Sequence, residues 1–325
     1  MDIKDRINLI KRNAEEVIGE DRITSLLKEK KKPITYCGYE TSGEVHLGHL
    51  VTMTKLLDLQ RAGFHVKVLF ADWHTWLNRK GDWDFIHKEI KIWEKAFRAS
   101  GLNKAEFVIG SSFQRQTAYI DDVLLMSLRI TINRALRSMQ VVARDIEHAR
   151  VSQIIYPFMQ VADIKHLKID LVEAGMDQRK IHMLGKELFK TINYKNPIFV
   201  HTYLIPSLKG PGSKMSSSDP VSMISVRDNP KEIGAKIKAA YCLPGDIKDN
   251  AVLAILKLII FPRINKLVIK REKAHGGKIE FDKYEDVERQ FKLKKIHPLD
   301  LKNVVSEHLI EILEPIRKPF EKKKF

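Results

Sequence analysis

The chain has 325 residues, of which 44% are hydrophobic, with 57 Lys+Arg against 41 Asp+Glu and a formal net charge of +16. That length suits about two domains with sizeable cores, and the charge points to a polyanionic partner, most often nucleic acid. Two distant cysteines, Cys37 and Cys242, exclude a disulfide framework and a structural zinc site, and no run of 18 apolar residues marks a membrane span. Met1-Asp2-Ile3-Lys4-Asp5 does not read as a signal peptide, so a cytoplasmic location is expected.

The first part alternates strand and helix. Pro33-Ile34-Thr35-Tyr36-Cys37 is β-prone and leads through a Gly-rich turn into a helix from about His46 to Ala62. Val66–Ala71 reads as a second strand, residues 82–100 as a helix and Glu106–Gly110 as a third strand. Asp170–Ala174 and Pro197–Val200 follow as later strands. Strands separated by helices predict an α/β fold with a parallel sheet covered on both faces. Ligands in such sheets bind beyond the carboxyl ends of the strands.

The first junction reads Gly38-Tyr39-Glu40-Thr41-Ser42-Gly43-Glu44-Val45-His46-Leu47-Gly48-His49. A helix start offers unpaired N–H groups and partial positive charge to a phosphate. Its glycines let a flat ring or a phosphate approach the backbone. His46 and His49 are three apart, share one face and can donate to phosphate oxygens.

Residues from Gln114 to about Glu147 read as helices inserted before the next strand–helix unit. Leu124, Leu125, Leu128, Ile132, Leu136 and Met139 form an apolar stripe, and Arg129, Arg134, Arg137 and Arg144 add charge. Next, Tyr156, Gln160 and Asp163 stand at i, i+4 and i+7 of an otherwise apolar helix, so they share a face. Such polar groups are costly to bury unless they meet a ligand or satisfy one another. Gly175-Met176-Asp177-Gln178-Arg179-Lys180 supplies a further amide at a helix start.

The stretch GPGSKMSSSDP, Gly210 to Pro220, has no apolar periodicity. By itself it fits a flexible linker as well as a loop that holds phosphate with one ammonium group, hydroxyls and backbone N–H groups. The upstream HLGH junction favours the phosphate reading. Residues 226–325 carry 23 Lys+Arg against 15 Asp+Glu, half of the net charge, and read as mostly helical. The expected domains are therefore 1–225, with an insertion at about 114–148 and the loop at 210–220, and 226–325.

The HLGH and KMSSS pair resembles the two signature motifs of class I aminoacyl-tRNA synthetases. In detail the chain is similar to tyrosyl-tRNA synthetases of the archaeal and eukaryotic type, from Tyr36-Cys37-Gly38 to Leu313-Glu314-Pro315-Ile316-Arg317-Lys318. It departs from that pattern at Thr41, where the family usually has proline. The resemblance implies a Rossmann-type catalytic domain and a helical anticodon-binding domain. It implies activation of L-tyrosine with ATP and Mg²⁺ to tyrosyl-AMP, then transfer to tRNA(Tyr).

By the same resemblance, Tyr156, Gln160 and Gln178 hold the amino acid, with Glu40 in its site, and Tyr36 and Asp163 take the phenolic hydroxyl. A site built for a hydroxyl rejects phenylalanine because its own polar groups would be left unpaired. Tyrosyl-tRNA synthetase is itself the reference case for this penalty, quoted at about 10⁵-fold without editing. Gly38, His46, Gly48, His49, Lys214, Met215 and Ser217 fall to ATP, and His46, His49, Lys214, Ser216 and Ser217 to catalysis. Arg137, Arg179 and Lys180 correspond to contacts with the tRNA acceptor end, and His275, His297 and Asp300 to anticodon contacts. The insertion corresponds to a homodimer interface.

A tryptophanyl-tRNA synthetase shares both motifs, but indole has no hydroxyl for Tyr36 and Asp163. A smaller HxGH nucleotidyltransferase would lack the KMSSS loop and the basic helical domain. A non-catalytic RNA-binding paralogue would not need the intact motifs. On this reading Lys214→Ala slows adenylate formation by about 10²–10³ without loss of fold. ATP–pyrophosphate exchange measures it, and an unchanged rate would remove the role.

Overall fold

The computed structural model describes residues 1–142, 148–217 and 219–321, apart from the side chain of His275. Contacts divide the chain into two compact units. The first takes Met1–Ser42, Lys55–Glu94 and Gly101–Tyr203, and the second takes Gly43–Thr54, Lys95–Ser100 and Leu204–Phe325.

In the first unit, six strands among the described residues form one sheet. They are β1 (Ala14–Ile18), β2 (Ile34–Tyr39), β3 (His65–Phe70), β4 (Glu106–Ile109), β5 (Leu171–Gly175) and β6 (Ile198–Thr202). Their order is β1-β6-β5-β2-β3-β4. The pairs β2–β3, β3–β4, β2–β5 and β5–β6 are parallel. β5 and β6 are buried along their whole length, which is why they read as nearly unbroken apolar runs.

The sequence reading expected an all-parallel sheet and had no β1. This edge strand, Ala-Glu-Glu-Val-Ile, pairs antiparallel with β6. An edge strand need not bury both faces, so its two glutamates carry no strand signal.

From β2 the chain proceeds outward through β3 to β4, and then returns to β5 and β6 on the other side. The direction reverses between β2 and β5. The crevice beyond their carboxyl ends is the position where open α/β sheets take ligands.

The insertion forms helices Thr117–Ser127 and Ile132–Met139, followed by helix Val151–His166. Its apolar stripe divides. Met139 is fully buried, whereas Leu124, Leu125, Leu128 and Ile132 are 58%, 46%, 80% and 64% exposed. Core packing therefore accounts for one end of the stripe only. Arg144 and Glu147 lie outside the described residues.

The second unit contains helices Pro230–Ala239, Tyr284–Lys292 and Pro298–Arg317. The apolar run at 251–260 begins as helix Ala251–Ile255 and widens into a π-helical stretch, Leu256–Ile260. Two short antiparallel strands, β7 (Leu267–Ile269) and β8 (Ile279–Phe281), interrupt this otherwise helical region. Three residues are too few for a period-two pattern, so neither was expected. No helix among the described residues is long and apolar enough to cross a membrane.

One buried lysine ties helix Ile3–Lys11 to the first unit. Lys55 is 2% exposed, and its Nζ donates to the carbonyls of Leu9 (3.1 Å), Ile10 (3.0 Å) and Arg12. Burial brings its pKa down to about 8. These are the carbonyls that a helix end leaves without intrahelical partners. Lys55→Met strands them under an apolar side chain and should cost about 2–3 kcal/mol, read as a lower urea midpoint at unchanged slope.

Candidate active site

In the first unit, side chains from the segments that follow β3 and β4 meet a buried carboxylate. Asp163, on helix Val151–His166, is 1% exposed. Its Oδ1 accepts hydrogen bonds from Gln114 Nε2 at 2.8 Å and from the Tyr119 hydroxyl at 2.9 Å. Its Oδ2 lies 3.6 Å from His74 Nε2. Burial pushes the Asp163 pKa up to about 7, against the pull of those two donors. Burial also takes His74 down to about 3, so its imidazole is neutral.

Tyr36, on β2, is buried, and burial together with the Asp163 charge raises its hydroxyl well above the usual range. Tyr156 is buried on the same helix as Asp163, about two turns away, and His74 meets its ring edge-on at 4.6 Å. One turn from Tyr156, Gln160 Nε2 lies 3.3 Å from Gln178 Oε1, in the turn that follows β5.

Several buried polar atoms here have no hydrogen-bond partner: His74 Nε2, Gln114 Oε1 and Gln160 Oε1. In native proteins such atoms are uncommon and call for a partner. A carboxylate, a neutral imidazole and an amide oxygen near Asp163 suit a hydroxyl, and the Gln160 oxygen suits a positively charged donor. Glu40 is engaged otherwise, accepting from Asn78 Nδ2 at 2.9 Å and pairing with Lys80.

His74, Gln114 and Tyr119 were not among the residues expected from sequence. His74 follows β3 and Gln114 follows β4, so position beyond a strand's carboxyl end was the available signal. Tyr119 is a helix residue of the insertion and carried none.

In the second unit, the two sequence motifs are tied to one stretch of chain. Leu47 N donates to Ile224 O at 3.1 Å, and Val226 N donates to Val45 O at 2.9 Å. His46 and Ser225 form an isolated antiparallel bridge. The segment 224–226 lies just past the KMSSS loop, so this pairing brings HLGH to it. A Cβ on Gly43 would stand 3.4 Å from Ser217.

Both histidines turn Nδ1 to the backbone. His46 Nδ1 accepts from Gly48 N at 3.0 Å, and His49 Nδ1 accepts from His46 N at 3.1 Å. Nδ1 as acceptor places the proton of a neutral ring on Nε2. Burial first, and the Lys214 charge second, lower His46 to about 4. His46 is therefore a neutral Nε2–H donor at pH 7. The rings lie 4.0 Å apart. Any side chain at Gly48 would meet the His46 ring at 2.7 Å, so glycine is required beside it.

The loop is anchored at both ends. Ser207 N donates to Ser213 O (2.9 Å), Met215 N to Ile205 O (3.0 Å), and Pro206 bridges Lys214. Asp219 N donates to Ser216 O at 3.1 Å. Met215 is buried as a plug, Ser216 and Ser217 are half-buried, and Lys214 is exposed. Ser218 lies outside the described residues. Gly210 has φ +107°, and a Cβ there would sit 2.9 Å from the Tyr241 ring.

Arg137, Arg179 and Lys180 line one cleft of about 360 Å³ in the first unit. Arg179 is held there by Glu16, with Nε–Oε2 at 2.7 Å and Nη2–Oε1 at 2.8 Å. Lys180 Nζ donates to Gln140 Oε1 at 2.6 Å. His297 is the N-cap of helix Pro298–Arg317, its Nδ1 accepting from Leu299 N, with Asp300 in the first turn. Beside its expected role, His297 thus also starts the last helix. The side chain of His275 lies outside the described part. Among the described residues, no cluster of three or more His, Cys, Asp or Glu is placed to hold a metal ion.

Residues 28–314 match the family described as tRNA synthetases class I (W and Y). The tyrosine–tRNA ligase of Archaeoglobus fulgidus is 46% identical over 98% of this chain and 98% of its own length. That of Methanosarcina barkeri is 44% identical over 97% and 99%. The crystal structure of tyrosyl-tRNA synthetase complexed with L-tyrosine from A. fulgidus superposes with a TM-score of 0.94, covering 98% of this chain and all of that one. The chain therefore belongs to the class I tRNA synthetases (W and Y), and within them to the archaeal-type tyrosyl-tRNA synthetases, the tyrosine–tRNA ligases.

Proposed function

We propose that Asp163 and Tyr36 take the phenolic hydroxyl of L-tyrosine, and that Gln160, Gln178 and Tyr156 take its ammonium end. The observation that carries this reading is the buried Asp163 carboxylate, with His74 Nε2 and Gln114 Oε1 unpartnered nearby. A second unpartnered acceptor, Gln160 Oε1, stands one turn away along the helix. Glu40 acts at this site through its ion pair with Lys80.

In the first reaction the tyrosine carboxylate attacks the α-phosphorus of ATP in line and pyrophosphate leaves. No side-chain nucleophile is needed, so catalysis is positioning and charge stabilisation. His46 and His49 donate from Nε2 to the phosphates. Lys214 meets the charge growing on the leaving pyrophosphate, and Ser216 and Ser217 donate hydroxyls. Gly38 and Gly48 leave the backbone open to the adenosine, and Met215 seats the loop. Mg²⁺ arrives as part of the ATP substrate, its ligands being phosphate oxygens and water. In the second reaction the ribose hydroxyl at the tRNA 3′ end attacks tyrosyl-AMP and AMP leaves.

For tRNA(Tyr), Arg137, Arg179 and Lys180 meet the acceptor end in their shared cleft. His275, His297 and Asp300, within an anticodon-binding region spanning 226–325, meet the anticodon. Residues 1–225 form the catalytic region. The exposed Leu124, Leu125, Leu128 and Ile132 form the interface of a homodimer, and the enzyme works in the cytoplasm. Four large apolar side chains clustered in one exposed insertion support the dimer, since contiguous patches of this kind mark association surfaces.

Two variants test these assignments. Asp163→Asn should lower kcat/KM for tyrosine by about 10–100-fold and reduce discrimination against phenylalanine, both read by pyrophosphate exchange. In the native protein the better acceptor, the carboxylate, gains on the acid as pH rises through about 7. Tyrosine KM should therefore fall between pH 6 and 8, and Asp163→Asn should flatten that slope. Separately, Leu128→Glu should convert a dimer to monomer in analytical ultracentrifugation. An unchanged sedimentation coefficient would place the interface elsewhere.

A further inference from the structure

The amide of Gln160 can present either its oxygen or its nitrogen to a ligand, and only the oxygen accepts from an ammonium group. Gln160 Nε2 also meets Gln178 Oε1 at 3.3 Å, but Gln178 is itself an amide that can turn, so the orientation is decided by a chain of hydrogen bonds that ends on a carboxylate. Gln160 Nε2 stands 3.3 Å from His182 Nε2. His182 Nδ1 stands 2.9 Å from His201 Nε2. His201 Nδ1 stands 3.1 Å from Glu16 Oε2. Arg179 holds Glu16 from its far side.

Each of the first two contacts sets nitrogen against nitrogen, so one partner donates and the other accepts. The direction is forced from the Glu16 end. A carboxylate has no proton to give, so His201 donates from Nδ1 and is left to accept at Nε2. His182 then donates from Nδ1 and accepts at its own Nε2. Gln160 must therefore turn its Nε2–H to His182, which leaves Oε1 free to accept. Oε1 is buried and has no partner, as this ordering requires.

The rest of the geometry holds the chain in place. Glu16 lies directly opposite His201 in the β1–β6 register, next to the register shift at Ala14/Glu16. Both histidines are buried, their rings stacked with centroids 5.2 Å apart. Burial lowers the pKa of both, which keeps them neutral, and Arg179 holds Glu16 below the usual carboxylate range.

We propose that Glu16, His201 and His182 are positioning residues that fix the Gln160 amide with its oxygen as acceptor, and so set the preference of the site for an amino acid with a free ammonium group. This rests on the reading of Gln160 as an ammonium acceptor.

The test is calorimetric binding of L-tyrosine and of 3-(4-hydroxyphenyl)propanoate, which lacks only the ammonium group. Glu16→Gln keeps size but supplies an amide donor to His201, which allows the whole chain to reverse. Its affinity for tyrosine should fall roughly 10-fold or more, while affinity for the analogue stays within about two-fold of wild type. The retained analogue binding also shows that the variant is folded. In ¹⁵N-histidine-labelled wild type, the ring spectra should report His182 and His201 as Nδ1–H tautomers, and Glu16→Gln should convert both to Nε2–H.

Gln160→Ala separates the two readings. If it weakens tyrosine selectively while Glu16→Gln weakens both ligands alike or neither, the relay is overturned and the ammonium reading stands. If Gln160→Ala shows no selective loss, both are overturned. An Nε2–H tautomer of His182 in wild type overturns the relay directly.

Discussion

Much of the first unit is arranged around the cost of burying the Asp163 carboxylate. Removing a carboxylate from water costs several kcal/mol unless donors meet it. Gln114 and Tyr119 provide two, and His74 approaches from another side. His74 comes from beyond β3, and Gln114 and Tyr119 from the insertion that follows β4, so the sheet and the inserted helix must both be in place for the carboxylate to be tolerated. The compensation is incomplete, as the raised pKa records. A site that leaves buried polar atoms unpaired favours the one ligand that completes them.

The second unit solves a different problem, which is to present donors to phosphate without bringing in competing charge. His46 and His49 use their Nδ1 atoms on the backbone, which commits Nε2 to donation. The pairing of residues 45–47 with 224–226 holds these rings beside the loop that carries Lys214. Burial, with the Lys214 charge second, keeps His46 neutral, so the exposed Lys214 ammonium carries a formal positive charge. Charge built up on a leaving pyrophosphate is best met by preorganised donors of this kind.

β1 joins recognition to the edge of the sheet. Its Glu16 faces His201 on one side and Arg179 on the other. The same carboxylate therefore fixes an arginine in the basic cleft and ends the hydrogen-bond chain from Gln160. An edge strand suits this work because it can keep a charged side chain half-buried, which a central strand cannot do without a desolvation cost.

Elements and motifs that follow from local physics were legible in the amino-acid order. The apolar runs gave the strands β2 to β6, and the alternation gave the parallel core of the sheet. The i, i+4, i+7 spacing put Tyr156, Gln160 and Asp163 on one helix face, and the glycine and serine loop around Lys214 announced a segment outside the core. The folded molecule settled what depends on contacts distant in the chain. It supplied β1, whose two adjacent glutamates hide an edge strand, and the partners of Asp163, which come from two separate segments, one after β3 and one after β4. It divided the apolar stripe of the insertion into a buried end and an exposed end, a distinction that periodicity does not carry. It also chose the tautomers of four histidines, because a ring's proton goes where its neighbours in space, and not in sequence, accept it.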